Sequence, residues 1–186
     1  VKAEGTSVVT MDSKASIRLD LDGAKDEAGK EHLGKDGKNG LRFTAYVDKG
    51  IILDEDTYAG IFVARGELSV EEMKALTPAG DVIDVKAEKF DPANDSDYLG
   101  RCFNAVIYDI PAEDYTQDLT AMAYVCDGGE YTYSENVTTR SLVEVASASL
   151  AKDNPIGNNK TWLENYVDLA NPEISINGVK FEEGVT

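Results

Sequence analysis

Residues 102–150 constrain the fold more than any other part of the chain, because two alternating apolar segments, a glycine turn and a third short segment run directly into a capped helix. Residues 102–110 (CFNAVIYDI) and 118–126 (DLTAMAYVC) are β-branched and aromatic runs separated by the polar, proline-led loop PAEDYTQ, and Asp127-Gly128-Gly129 turns the chain into residues 130–134 (EYTYS). This pattern predicts a three-stranded meander. A turn centred on Gly128 sets Val125 against Tyr131 and Ala123 against Tyr133, and a first loop centred near Asp114 sets Cys102 against Cys126. Ser141 and Glu144 then have the spacing of a capping box, in which each side chain satisfies a first-turn amide that the helix itself leaves unpaired. Leu142, Val145, Ala146, Ser149 and Leu150 share one helical face, so a helix over residues 141–152 is predicted to dock on the meander.

Upstream, residues 6–21 read as one or two strands, with Ile17, Leu19 and Leu21 on one side and Arg18, Asp20 and Asp22 on the other, a half-buried pattern. Residues 23–39 are almost entirely polar and predict a long surface loop; residues 40–47 (GLRFTAYV) resume the alternation with Leu41, Phe43, Ala45 and Val47 inward. Apolar pieces at 51–53 and 60–64, and the alternating run 81–90, add further strands. Ser69 and Glu72 form a second capping-box pattern and predict a short helix, Val70–Leu76, that Pro78 and Gly80 end. The expected fold is therefore mainly β, a sandwich of mostly antiparallel strands carrying two or three short helices, with an α+β arrangement as the alternative.

Two units are expected: a β-rich domain over residues 1–152 and a C-terminal extension over 153–186, with a helix at 160–170 followed by an edge strand or the start of a linker. A chain of 186 residues that is 42% apolar can bury a core of ordinary domain size. Val1 in place of a Met predicts that processing or truncation removed what preceded it, and the alternating ending NPEISINGVKFEEGVT suits either a last strand or a cut within a longer polypeptide. No run approaches the roughly 18 apolar residues of a membrane helix, so direct membrane insertion is not expected. The net charge of −17 argues against nucleic acid, whose phosphates require Lys and Arg to displace counterions.

The single histidine, His32, lies in a polar stretch, so a two-histidine metal site cannot be built and a serine–histidine–carboxylate triad would need that loop residue beside a nucleophile. The reading is of a protein that is not an enzyme. Asp20, Asp22 and Asp26 (LDLDGAKDE) offer half of a calcium loop, carboxylates beside a glycine, without the complete EF-hand spacing; calcium is the cofactor they would suit, and otherwise none is expected. Cys102 and Cys126, opposed in the register above, read as a disulfide in an oxidising compartment or as two buried thiols. Sugar C–H faces stack on aromatic rings. The meander register buries Tyr131 and Tyr133 with Phe103 and Ile107, which leaves Trp162 and Tyr166, four apart on a predicted helix, as the ligand-binding pair.

Four stretches carry a resemblance: Ala15-Ser16-Ile17-Arg18; Gly40-Leu41-Arg42-Phe43-Thr44; residues 103–111 with their Ile110-Pro111 ending; and residues 115–146 with Ala123-Tyr124-Val125, Tyr133-Ser134 and the Arg140-Ser141-Leu142 step into Val145-Ala146. Together they resemble a recurring non-catalytic module of large secreted and cell-surface proteins of Gram-positive anaerobic bacteria, often found beside carbohydrate-active or Ig-like domains. The resemblance implies an extracellular accessory module for adhesion, display or spacing, with a carbohydrate-binding module of a glycan-degrading system as the alternative. Its implied partners are other domains of the same polypeptide and a glycan or a host or cell-wall component. It carries over no functional residue, and the charged insertion at 23–39 and the cysteine pair depart from it.

Overall fold

The structure is a computed structural model and describes residues 8–18, 40–78, 80–92, 100–151, 163–164, 167, 174–176 and 179–181. Its strands are β1 (Val9–Arg18), β2 (Gly40–Asp48), β3 (Thr57–Arg65), β4 (Ile83–Lys86), β5 (Asp91–Pro92), β6 (Gly100–Tyr108), β7 (Leu119–Asp127), β8 (Glu130–Tyr133), β9 (Thr138–Arg140), β10 (Ile174–Ile176) and β11 (Val179–Phe181); its helices include α1 (Val70–Leu76) and α2 (Leu142–Leu150). All strand pairs are antiparallel. One sheet runs β1-β2-β6-β5. The second runs β4-β3-β7, with β8 and β9 sharing the far edge of β7, and β10 with β11 forms a separate hairpin. The fold is mainly β and sandwich-like, as the alternation predicts.

The core lies between the two large sheets. Leu41, Phe43, Ala45 and Val47 of β2 and Phe103, Ala105 and Ile107 of β6 meet Ala59, Ile61 and Val63 of β3 and Leu119, Ala121, Ala123 and Val125 of β7. Both predicted capping boxes form: Ser69 and Glu72 start α1, Ser141 and Glu144 start α2. Leu142, Val145 and Ala146 of α2 join this core against β1 and β2, not against a meander. Leu163 is buried in the same core with Val167 beside it, so the packed unit extends past residue 152 into what the sequence suggests is an extension.

The meander is corrected in two respects. Strands β6 and β7 do not pair, since β6 lies between β2 and β5 while β7 lies between β3 and the β8–β9 edge. Strands β7 and β8 do form a hairpin, but its turn consists of Gly128 and Gly129 alone, both at positive φ (+56° and +90°), as a two-residue turn matching strand twist requires. Tyr133 therefore opposes Tyr124 and Tyr131 opposes Cys126. The slip of one position turns both tyrosines to the other face of the sheet. There, with Phe62, Tyr124, Cys126 and Met73 of α1, they build a second apolar cluster outside the main core.

The expected strand at 51–53 is irregular chain, and the run 81–90 is regular only over β4. Strand β1 carries a bulge, with residues 12–14 inserted between the pairs Met11–Ala45 and Ala15–Phe43. The bulge frees its outer edge for side chains of the other sheet. Asn136 Oδ1 accepts from Met11 N at 3.0 Å, Thr138 Oγ1 donates to the Asp12 carbonyl at 2.6 Å, and Arg140 donates to the Ser13 carbonyl at 2.6 Å. That seam closes one side of the sandwich.

Candidate functional site: an end cleft and a tyrosine face

At the end of the sandwich where β3, β6 and β7 meet, both sheets contribute to a cleft of about 390 Å³, within the size range of small-ligand sites. Its floor is the end of the core, Val63, Ile107 and Leu119, and its wall is Leu76, Val82 and Ile83. Ile83 keeps 51% of its surface exposed. Beyond β6 the chain reverses through Asp109, whose φ of +53° is a left-handed conformation that Asp tolerates better than most residues. The short 3₁₀ turn at 112–114 then returns the Asp114 carboxylate to the guanidinium of Arg65, 2.9 Å away. Arg65 is well exposed, so this pair orients the rim more than it stabilises the fold. The loop is anchored from both sides, by Gly66 N to the Asp118 carbonyl at 2.8 Å and by Val143 N to the Tyr115 carbonyl at 3.0 Å. Asp81 and Asp109 complete the acidic rim.

The second feature is the outer face of β3, β7 and β8. Its base is buried: Phe62 and Tyr124 stack with centroids 4.4 Å apart. The Tyr124 ring crosses β3 directly over Gly60, where a Cβ would meet the ring at 2.5 Å, and its hydroxyl donates to Asp84 of β4 at 2.7 Å. Burial first, and the Asp84 carboxylate second, hold the Tyr124 phenol above its ordinary pKa. Half-buried Tyr58, Tyr131 and Tyr133 form the outer layer. The rings of Tyr131 and Tyr133 are 9° from parallel with centroids 6.0 Å apart, and the Lys86 ammonium lies 3.9 Å over Tyr58. Hydrogen bonds with Cys126 and then Tyr131 raise the Tyr58 phenol as well.

Cys102 opposes Tyr46 on the outward side of the first sheet, whereas Cys126 opposes Tyr58 on the outward side of the second. The whole core lies between them, so the paired register is overturned and the structure forms no disulfide between the two. Trp162 and Tyr166, expected to bind ligand, lie outside the described residues, as do Asp20, Asp22 and Asp26. Among the described residues no group of three or more acidic, histidine or cysteine side chains is placed to hold a metal ion, and no helix is long and apolar enough to cross a membrane. Sequence reasoning missed the cleft because Arg65, Asp109 and Asp114 come together only through strand order. It missed the tyrosine face through the turn; the Gly128-Gly129 pair itself was the available signal. Compared with models of known protein families the sequence matches none, and no curated protein matches it.

Proposed function

We propose that this chain is a non-catalytic accessory module of a bacterial extracellular surface protein, serving adhesion, display or spacing. The observation that supports this best is the treatment of sheet edges. Strand β1 is covered at Met11, Asp12 and Ser13 by Asn136, Thr138 and Arg140, and the other described strands at the edges of the two large sheets, β4, β5, β8 and β9, are only four, two, four and three residues long. Modules repeated along one polypeptide face each other at high local concentration, where a long free edge would pair with its neighbour. Short or partly covered edges and a net charge of −17 suit a domain that has to stay separate beside others. Protease shaving of intact cells tests the reading. Release of peptides from this chain before lysis is the expected result, and their recovery only from the lysed cytoplasm overturns it.

The near-parallel rings of Tyr131 and Tyr133 favour a second reading, a carbohydrate-binding module. A glycan array probed with the intact chain and with a Tyr131→Ala/Tyr133→Ala variant tests it: binding lost in the variant supports the reading, and binding to no glycan removes it.

A further inference from the structure

We propose that the end cleft is a docking site for a basic peptide segment of a partner, received in extended form along β4 with a lysine or arginine side chain laid into the cleft. The floor is apolar and the rim is acidic, a combination that matches a side chain with an aliphatic stem and a cationic head. Asp81 and Asp109 are both exposed and have no basic partner among the described residues, so the rim carries uncompensated negative charge. The one base among the described residues that line the cleft, Arg65, is already seated on Asp114, and its guanidinium shows the kind of head group the rim accepts. An anionic ligand would meet carboxylates, and a purely apolar one would remove them from water without compensation.

Two observations favour a peptide over a small amine. Ile83 presents a half-exposed apolar side chain beside the acidic rim, suiting an alternation of apolar and basic residues. The strand that carries it, β4, pairs only with β3 among the described residues, so its other edge offers main-chain groups to an added strand. This short edge lies next to the cleft, so a strand added to it is within reach of the acidic rim.

The test is titration of the isotopically labelled chain with a capped alternating leucine–lysine hexapeptide, followed by amide NMR shifts, beside the leucine–glutamate and leucine–glutamine analogues. The lysine peptide is expected to shift amides at 63–66, 81–86 and 107–114, with affinity falling as salt rises. The double variant Asp81→Asn/Asp109→Asn keeps the left-handed preference at 109 and removes both charges; it is expected to weaken binding at least about tenfold with an unchanged spectrum elsewhere. Ile83→Ser, which alters the wall and leaves the charges, is expected to weaken it as well. No binding, equal binding of the glutamate peptide, full affinity in the double variant, or shifts centred on the tyrosine face each overturn the proposal. None of these outcomes depends on where the protein resides, so the site and the surface-module reading stand or fall separately.

Discussion

The carboxamide of Asn136 pairs with both main-chain groups of Met11, accepting from its N–H at 3.0 Å and donating to its carbonyl at 2.8 Å. One side chain thereby does for the edge of β1 what a neighbouring strand would do. It also ties the first sheet to the segment between β8 and β9 of the second.

Removal of that carboxamide leaves a donor and an acceptor of buried Met11 unpaired. Asn136→Ala is expected to lose about 1–3 kcal/mol in urea unfolding. Asn136→Asp, which can accept but not donate, should fall between it and the parent. Sedimentation at high concentration should show self-association in Asn136→Ala alone, because its β1 edge is open.

Gly60 and Tyr124 form a matched pair. Gly60→Ala drives a methyl into the ring and is expected to cost about 1–3 kcal/mol, an overpacking penalty. Tyr124→Leu vacates that space at its own cost. The double variant should therefore be more stable than the two single losses added together predict, a coupling that a double-mutant cycle in urea measures.

Alkaline pH should act through the same ring. The pKa values of Tyr58 and Tyr124 are raised in the folded protein, so the unfolded chain releases these protons first, from the ordinary value of 10.0 upward. Stability from both phenols is fully present below pH 10 and is lost as pH rises beyond it. Tyr124→Phe should flatten that decline, and tyrosinate absorbance in the parent should report ionisation that coincides with unfolding.

Helix α2 should respond in two steps. Ser141→Ala removes the cap to Glu144 N and is expected to cost about 1 kcal/mol. Leu142→Ala empties a buried position against β1 and β2 and is expected to cost about 2–5 kcal/mol.

Thiol titration under denaturing, non-reducing conditions should find both Cys102 and Cys126 reactive, with identical mobility in reduced and non-reduced gels. Cys126→Ser should be the more destabilising replacement, because Cys126 is 2% exposed within the tyrosine cluster while Cys102 is partly exposed.

The sequence by itself determined what depends on neighbours along the chain. Both capping boxes could be read from Ser and Glu three positions apart, since the bonds they make span three residues. The inward residues of β2 could be read from their alternation, since side-chain direction in a strand is a local property. The partner of each strand could not. Strands β6 and β7 are consecutive alternating runs, yet they lie in different sheets, because β6 pairs along its length with β2 and β7 with β3, both far upstream. That decision carried the cysteines to opposite surfaces and brought Arg65 to Asp114. The tyrosine face sits between the two cases, since a turn of two glycines and a turn of three residues differ by one position, and one position exchanges the faces of a strand. Alternation sets which side chains share a face, but which sheet the strand joins is decided by contacts between residues distant in sequence, and those exist only once the chain has folded.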